Sequence, residues 1–299
     1  CQHIGTWDAA SKTCTITEDI TADSSDAIII GSDGITLQGQ DLPGLGLITD
    51  IVGPIATNSF SGIFVDGKSN ITLKDFNLQN FKYGIMVKNV ETLTIQNVLN
   101  SGGQRAVDFQ IDNSNNVVLD GMIPNTSSKL FVTNSNEVVI KNNGSSNSWG
   151  SIKIGNSHGV EITDSYVSGP PNYGRGVISI AGGSSNINIH DSYFSHVNTA
   201  GGMFGTYYAE DGSCSSHMVP RICASVGEIG TGIKISDNTI YGTMGIHSVS
   251  DAPITISGNT FENVYGCGIG IIAGGTGSNL WGYGGHIIKN NIFNCSERE

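Results

Sequence analysis

A short hydrophobic pattern recurs along the chain: two apolar residues flank a third residue, one more residue follows, and then Asp, Asn or Gly. Ten copies are ITLQG (35–39), ITLKD (71–75), LTIQN (93–97), VVLDG (117–121), VVIKN (138–142), VEITD (160–164), INIHD (187–191), IKISD (233–237), ITISG (254–258) and HIIKN (286–290). Most neighbouring copies start about 22 residues apart. A unit of that length cannot bury its own apolar face, so each copy must stack on the next.

A second apolar pattern falls between copies of the first. Its instances are GIFV (62–65), GIMV (84–87), AVDF (106–109), LFVT (130–133), SIKI (151–154), VISI (177–180) and GIH (245–247). Two strands per repeat, joined by short Asn, Ser and Gly turns, predict an all-β fold. The arrangement is typical of a single-stranded parallel β-helix solenoid with about ten coils.

Alternate strand residues face outward, so the second pattern also predicts solvent-facing columns. The first column is expected to contain Phe64, Met86, Asp108, Phe131, Lys153 and Ser179. With strands about 4.8 Å apart, this strip would be about 25 Å long, enough for several sugar units. Exposed aromatic residues in a row favour an interface. The alternatives are an ordinary solvated sheet, or a strip covered by residues 41–60.

The turn before the first pattern contains Asn89, Asn113, Asn134 and Asn156 at intervals of 24, 21 and 22 residues. This spacing predicts a stacked asparagine ladder, in which the side-chain amides bind one another and the turn backbone. We therefore interpret these residues as structural.

The repeats predict one β-helix domain over residues 1–299. Residues 1–61 form an N-terminal cap and first coil, in which an irregular segment (41–60) covers the first edge. Residues 62–295 form the stacked coils, interrupted by an inserted loop near 201–228. The charged tail 296–299 indicates a capped C-terminal end, and hence lateral rather than axial association.

The composition agrees with this fold and argues against two classes of binding partner. Gly 41 and only 13% charged residues favour strands and turns over helices. A net charge of −12 argues against nucleic acid and anionic membranes as partners, and no apolar run is long enough to span a bilayer. The start at Cys1 without Met predicts an extracellular or cell-surface protein from which a signal peptide has been removed.

The six cysteines match no zinc or redox motif, which favours disulfides in an oxidising compartment. Six cysteines allow fifteen pairings, and the sequence does not select one. Pairing of near neighbours would join Cys1 with Cys14, Cys214 with Cys223 and Cys267 with Cys295.

Four asparagines, Asn70, Asn125, Asn143 and Asn294, begin Asn-x-Ser/Thr sequons and are candidate glycosylation sites. No cofactor and no metal ligand set is predicted. Calcium binding is left open because no motif indicates it.

The coil pattern over about residues 28–295 resembles the right-handed parallel β-helix superfamily of pectate-lyase-like topology, especially the repeat of carbohydrate-binding proteins and sugar hydrolases at microbial surfaces. The opening GTWDAASKTCTITEDI and the later SDAIIIGSDGITLQGQ resemble the first coil of such proteins. This resemblance implies the fold strongly, but the superfamily includes lyases, hydrolases, epimerases, phage spikes and structural proteins.

The catalytic motifs of those enzymes are missing. The chain has no Asp-Asp pair, no Gly-His-Gly and no Asp-Pro-His-Asp, and GSIKIG (150–155) only approximates the Arg-Ile-Lys of polygalacturonase-like hydrolases. A divergent catalytic site would have to use the residue types in the inserted loop and nearby strands. The candidates are His247, Tyr207, Tyr208, Arg221 and Lys153.

Three functional hypotheses follow. The first is a structural or adhesive surface protein whose exposed sheet contacts polysaccharide or copies of itself in a homo-oligomer. The second is an extracellular lyase, C5-epimerase or glycoside hydrolase with a divergent site. The third is a viral receptor-binding spike. The missing catalytic motifs favour the first hypothesis.

Overall fold

The computed structural model describes residues 1–23, 25–40, 49–53, 60–100, 107–124, 128–143, 151–169, 178–196, 204–206, 231–241, 247–249, 253–264, 269–272 and 285–295. Every regular element within these ranges is a β-strand. The chain divides into two compact units, Cys1–Ser148 and Trp149–Glu299, which are described separately. The single domain over 1–299 stays a prediction.

The first unit contains sixteen strands. They are β1 (Gly5–Asp8), β2 (Thr13–Ile16), β3 (Ile20–Thr21), β4 (Ile28–Ile30), β5 (Thr36–Gly39), β6 (Thr49–Val52), β7 (Ser61–Asp66), β8 (Ser69–Lys74), β9 (Phe76–Gln79), β10 (Tyr83–Lys88), β11 (Glu91–Gln96), β12 (Leu99–Asn100), β13 (Val107–Asp112), β14 (Asn115–Asp120), β15 (Lys129–Thr133) and β16 (Asn136–Lys141). Three sheets hold them. Sheet 1 has the order β1-β2-β5-β8-β11-β14-β16, sheet 2 has β15-β13-β10-β7-β4, and sheet 3 has β12-β9-β6-β3.

The second unit repeats the three kinds of strand. Its strands are β17 (Ser151–Gly155), β18 (His158–Thr163), β19 (Tyr166–Gly169), β20 (Ile178–Ala181), β21 (Asn188–His190), β22 (Tyr193–His196), β23 (Phe204–Thr206), β24 (Ile233–Ser236), β25 (Thr239–Tyr241), β26 (His247–Val249), β27 (Ile254–Ser257), β28 (Thr260–Val264), β29 (Gly270–Ile272), β30 (Ile287–Lys289) and β31 (Ile292–Cys295). Here sheet 1 is β18-β21-β24-β27-β30, sheet 2 is β23-β20-β17, sheet 3 is β19-β22-β25-β28-β31, and β26 pairs with β29.

The strand pairing confirms the all-β parallel solenoid. All ten copies of the first pattern form strands of sheet 1, and the copies of the second pattern form β7, β10, β13, β15, β17, β20 and β26. Strands of neighbouring coils pair in parallel, as in the registers of β8 with β11 and of β11 with β14. Fewer than ten coils have a strand of all three sheets within the described ranges, so the predicted count of about ten complete coils is too high.

Sheet 3 was not predicted. Most of its strands begin three residues after a sheet 1 strand ends, as Leu99 follows Gln96. The strand that starts at Phe76 begins two residues after Lys74, across the corner residue Asp75. Asp75 has a φ of 64°, in the left-handed region that Asp, Asn and Gly tolerate best. The same corner in later coils carries Asn97, Gly121, Asn142, Asp164, Asp191, Asp237, Gly258 and Asn290, all at positive φ. In these nine copies the Asp, Asn or Gly that ends the pattern is therefore a corner residue, whereas Gly39 of the first copy lies within β5.

The irregular cap predicted at residues 41–60 is partly wrong. Thr49–Val52 form the sheet 3 strand β6, which pairs in parallel with β3 and β9, while 41–48 and 54–59 lie outside the described residues. The first edge of sheet 1 is instead covered by β1, which pairs antiparallel with β2. The predicted Cys1–Cys14 disulfide is present and joins the chain start to β2.

The interior is a set of apolar stacks. On sheet 1, Leu73, Ile95 and Leu119 are in register and fully buried. On sheet 2, Ile63, Ile85 and Phe109 do the same. Each such side chain contributes about 1.5–3 kcal/mol relative to an exposed one. Stacking of identical coils therefore supplies the core that no single coil could form.

The predicted asparagine ladder is present in part. Asn113 Nδ2 donates to Asn89 Oδ1 at 2.6 Å, and both residues have positive φ. Asn134 Nδ2 donates instead to Asp112 Oδ1 at 2.9 Å. In the second unit, Asn156 Oδ1 accepts from the backbone N–H of Gly183 at 3.1 Å. These amides stabilise left-handed corners, consistent with a structural role.

The last strands of the second unit leave apolar side chains exposed. Ile288 and Phe293 continue the inward positions of Ile256 and Phe261, yet they are 49% and 42% exposed. The predicted capping tail, 296–299, lies outside the described residues. Within the described ranges, the expected capped end is not seen.

Candidate functional site

The outward column of sheet 2 in the first unit differs from the predicted strip at one position. The register pairs Met86 with Phe64 on one side and with Gln110 on the other, and Gln110 with Phe131. Asp108 lies two residues before Gln110 and is not in this column. The prediction aligned AVDF with GIMV, whereas the strand register aligns Phe109 with Ile85.

The column also extends one strand further than predicted. Ile29 pairs with Phe64 and is 66% exposed. Its place could have been found in the sequence, because III (28–30) precedes the first ITLQG copy much as GIFV precedes ITLKD. We call the five residues the contact strip: Ile29, Phe64, Met86, Gln110 and Phe131.

Strand alternation fixes the orientation of the contact strip. On β7, Ile63 and Val65 are fully buried, while Phe64 between them is partly exposed. The five strands are each about 4.8 Å apart, so the strip is about 19 Å long. Four of its five members are large apolar side chains, which is the composition of a contact surface.

A polar column runs beside the contact strip. Lys88 pairs in register with Asp66 and with Asp112, and Asp112 pairs with Thr133. Asp66 Oδ1 accepts from Asn89 Nδ2 at 2.8 Å, and Asp112 Oδ1 accepts from Thr133 Oγ1 at 2.8 Å. The alternating charges keep this column close to neutral.

The last two predicted strip residues lie in the second unit. Lys153 on β17 is half-buried and pairs in register with Ser179 on β20. Their predicted adjacency is confirmed. Their part in binding stays a prediction.

A second group of functional side chains lies on sheet 1 of the second unit. His190 Nε2 contacts Glu161 Oε1 at 2.8 Å, and His190 Nδ1 contacts Asp191 Oδ2 at 2.7 Å. Thr163 Oγ1 lies 3.5 Å from Nδ1 and donates to Asp164 Oδ2 at 2.9 Å. We call Glu161, Thr163, His190 and Asp191 the His190 cluster.

The two carboxylates control the charge of the imidazole. Burial lowers the pKa of His190, but the hydrogen bonds to Asp191 and Glu161 outweigh burial and raise the pKa above its ordinary value. Only the protonated ring can donate from both nitrogens at once. The sequence indicated no more than a surface histidine here, because Glu161 is 29 residues away and meets His190 only through the strand register.

Tyrosines line the neighbouring sheet 3. The rings of Tyr166 and Tyr193 stack with centroids 5.0 Å apart and planes 8° apart, and the Tyr166 hydroxyl lies 3.3 Å from Ser195 Oγ. Burial, followed by the nearby Tyr166, Glu262 and Tyr241, raises the pKa of Tyr193. The Tyr193 hydroxyl therefore stays protonated near neutral pH.

The predicted catalytic residues are only partly described. Tyr207, Tyr208 and Arg221 lie outside the described residues. His247 begins β26 and pairs in register with Gly270. Among the described residues, no three His, Cys, Asp or Glu side chains are arranged to hold a metal ion.

Two further predictions concern modification. Asn143 is buried, and its Oδ1 accepts from the backbone N–H of Met122 at 3.1 Å, an environment that disfavours the predicted glycosylation. Asn70 and Asn294 are exposed, and Asn125 lies outside the described residues. Of the other predicted disulfide partners, Cys295 ends β31, while Cys214, Cys223 and Cys267 also lie outside the described residues.

The described part of the chain contains no helix with the length and apolar character required to cross a bilayer.

Comparison with known proteins bears on the fold. The family model described as "Right handed beta helix region" matches residues 61–209. No curated protein matches the sequence.

One solved structure has a similar overall fold. A surface adhesin of Streptococcus pneumoniae, PfbA, is 12% identical with a TM-score of 0.52, and the match covers 96% of this chain and 84% of the adhesin. A tailspike capsular polysaccharide depolymerase from the Acinetobacter baumannii bacteriophage Fri1 is 11% identical, with a TM-score of 0.42 and coverage of 95% and 57%.

A catalytic domain of a GH87 alpha-1,3-glucanase in complex with nigerose is also 11% identical, with a TM-score of 0.35 and coverage of 96% and 62%. At these identities the likeness concerns the fold alone. The family match over residues 61–209 and the parallel pairing of neighbouring coils show that this chain has the right-handed parallel β-helix fold.

Proposed function

We propose that this chain is an extracellular or cell-surface adhesive β-helix protein that binds a neutral polysaccharide along the contact strip. The observation that carries the proposal is the register of Ile29, Phe64, Met86, Gln110 and Phe131, which forms one outward apolar row about 19 Å long. A row of that length suits an extended chain better than a compact ligand.

The chemistry of the strip and of the column beside it suits a sugar chain. Aromatic rings and Met86 can pack against the C–H faces of pyranose rings, while Gln110, Lys88 and Asp112 supply donors and acceptors for hydroxyl groups. Binding sites with an apolar surface and a few polar groups are common for such ligands.

Charge favours a neutral polysaccharide over an acidic one. The protein has a net charge of −12, and the column beside the strip alternates Asp66, Lys88 and Asp112 rather than presenting a basic surface. A uronic-acid polymer would be repelled over the Debye length.

The Cys1–Cys14 disulfide supports the proposed location, because such bonds persist mainly in oxidising compartments. The surface adhesin of similar fold is compatible with this proposal, although that likeness carries the fold only.

The test is a binding assay with immobilised neutral and uronic-acid polysaccharides, using a Phe64→Ser/Phe131→Ser double variant. Loss of two buried aromatic contacts should weaken binding of the neutral polymer by at least about tenfold. The matched control is Val118→Ser/Val139→Ser, which changes half-buried outward residues on sheet 1 of the same unit and should bind normally.

Two results would overturn the proposal. One is equal affinity of the wild-type protein and the strip variant for every neutral polymer that binds. The other is sedimentation of the wild-type protein as an oligomer that the strip variant dissociates, with no glycan bound by either; the strip would then contact copies of this chain.

The enzyme hypothesis stays an alternative because its loop residues lie outside the described ranges. The same polysaccharides can be assayed for unsaturated products and for new reducing ends. Turnover that disappears in His247→Ala and Tyr207→Phe would establish an enzyme in place of an adhesive protein.

A further inference from the structure

Two tyrosines lie side by side on the outward face of sheet 3 in the second unit. Tyr166 of β19 is in register with Tyr193 of β22, and the residues that follow them, Val167 and Phe194, are fully buried. Strand alternation therefore places both phenol rings outward. Both tyrosines are only half-buried, so their rings are accessible to solutes.

The two rings are held against each other. Their centroids are 5.0 Å apart and their planes differ by 8°, which is the geometry of a direct aromatic contact. The Tyr166 hydroxyl lies 3.3 Å from Ser195 Oγ, and Ser195 belongs to the same strand as Tyr193. This contact directs the Tyr166 side chain towards β22.

We propose that Tyr166 and Tyr193 are an oxidative cross-linking site, at which hydrogen peroxide and a haem peroxidase join the two phenols as dityrosine. The peroxidase removes one electron and one proton from each phenol and reduces the peroxide to water. The two phenoxyl radicals then form one C–C bond between carbons ortho to the hydroxyls. Each of these carbons loses its hydrogen as a proton, and each phenol oxygen regains one. One peroxide is consumed and two waters are formed.

The strand register favours this pair over the other described tyrosines. Tyr241 lies opposite Ser195 and Glu262, whereas Tyr83 of the first unit lies opposite Ser61 and Val107. Within the described strands, only Tyr166 and Tyr193 occupy paired positions. The carbons that bond must approach to about 1.5 Å. Rotation about the side-chain torsions of two outward residues allows this approach while the strands stay in place.

The bond would staple two neighbouring coils. Tyr166 and Tyr193 are 27 residues apart in sequence, and a covalent bond between them restricts the unfolded chain as a disulfide does. The described part of the second unit contains no disulfide, whereas Cys1–Cys14 staples the first unit. The inference is independent of polysaccharide binding, because the contact strip lies on sheet 2 of the first unit.

The experiment treats the dilute full chain with hydrogen peroxide and a haem peroxidase. Dityrosine fluorescence should appear, and the denatured product should keep the mass of one chain. Proteolysis should release one pair of peptides joined through Tyr166 and Tyr193, lighter than the separate peptides by the lost hydrogen atoms. The melting temperature should rise by about 5–15 °C. Peroxide without the peroxidase is the control for methionine oxidation.

Two variants test the assignment to this pair. Tyr166→Phe and Tyr193→Phe each keep a ring in the stack but remove the phenol that forms the radical. Each should therefore fold normally, yet lose both the joined peptides and the rise in melting temperature. Tyr83→Phe is the matched control, because Tyr83 is also half-buried but has Lys82 Nζ 5.1 Å from its ring centroid instead of a second tyrosine. This control should cross-link as the wild-type protein does.

Three results would overturn the inference. The first is the absence of dityrosine in the protein under conditions that cross-link free tyrosine. The second is fluorescence that neither Tyr166→Phe nor Tyr193→Phe reduces, because other tyrosines would then form the bond. The third is a covalent dimer in place of a stapled single chain.

Discussion

The two units use the same strand geometry but differ in which polar groups are buried and which are exposed. In the first unit, the Asn89–Asn113 amide pair is exposed at a corner, and the outward row of sheet 2 is apolar. In the second unit, Asn238 and Asn259 are buried and joined by hydrogen bonds, whereas the outward face of sheet 1 carries the His190 cluster.

This comparison shows that inward and outward residues are under different structural constraints. Inward residues must stack with the coils above and below, so they maintain the fold even where the outward side chains differ. Outward residues are free to vary, and one scaffold can carry an apolar strip in one unit and titratable groups in another. Function in this molecule has to be argued from the outward columns.

The largest expected effect is on the free energy of unfolding. It tests whether neighbouring residues of one strand lie on opposite faces, one buried and one outward. Phe109 and Gln110 are neighbours on β13, but Phe109 is 1% exposed and Gln110 faces outward. Phe109→Ala should lower the free energy of unfolding by about 3–5 kcal/mol through lost burial and a cavity. Gln110→Ala should change it by less than about 0.5 kcal/mol. Denaturant unfolding of both variants measures the contrast; similar losses would mean that Gln110 is not outward.

The next expected effect, which is smaller, is a difference in the free energy of unfolding between variants of the amide pairs in the two units. Asn259 Oδ1 accepts from the backbone N–H of Asn238 at 3.1 Å and from its Nδ2 at 3.0 Å. Asn259→Ala leaves the backbone N–H of Asn238 without its acceptor in the interior, although Asn238 Nδ2 keeps its bond to Ile189 O, and should cost about 1–3 kcal/mol.

Asn113→Gly is the counterpart in the first unit. It removes an exposed amide while preserving the left-handed corner at φ 48°, so the free energy of unfolding should change by about 0.5 kcal/mol or less. Thermal unfolding of the two variants compares them, and an equal shift would show that burial does not distinguish the pairs.

The corrected register of the contact strip makes a prediction about affinity. Gln110 lies between Met86 and Phe131, so Gln110→Ala should weaken binding of a neutral polysaccharide by about threefold, through loss of one hydrogen bond. Asp108→Ala is the control because Asp108 is outside the strip. The same binding assay applies, and a larger loss in Asp108→Ala would restore the register expected from the sequence.

The predicted placement of Asp108 in the strip shows which features of the fold the sequence can predict and which it cannot. The pattern identifies all ten sheet 1 strands, because inward Ile, Val and Leu must alternate in every coil. It does not fix the register within sheet 2, because a slip of two residues keeps each side chain on its face. Aligning Asp108 or Gln110 with Met86 therefore satisfies the pattern equally well, and only backbone pairing distinguishes them.

Sheet 3 and the His190 cluster were missed for different physical reasons. Strands such as Ile20–Thr21 and Leu99–Asn100 are two residues long and show no alternation to detect. The contact of His190 with Glu161 depends on coil length and side-chain rotamers, which no local pattern records. By contrast, the Cys1–Cys14 bond was among the pairings of near neighbours considered from the sequence, although the sequence alone did not select it.

The smallest expected effect concerns pH and the His190 cluster. The charged groups that contact the ring are Glu161 on β18 and Asp191 at the corner after β21. Lys234 lies opposite Asn188 on the next strand, and Asp164 contacts Thr163. In the unfolded chain the imidazole titrates near 6.5, and in the folded protein its pKa is higher. The stabilising contribution is therefore complete below 6.5 and is lost as pH rises through the folded pKa.

His190→Gln removes this titration while keeping a side chain that can donate to one carboxylate. Between pH 6.5 and the folded pKa of His190, the melting temperature of the wild-type protein should fall more steeply with pH than that of the variant. NMR titration of the His190 ring protons gives the folded pKa directly. Parallel melting curves, or a folded pKa at or below the ordinary value, would show that Glu161 and Asp191 do not hold the proton. The stability of the second unit would then have no pH dependence through His190, just as the apolar contact strip of the first unit contributes none.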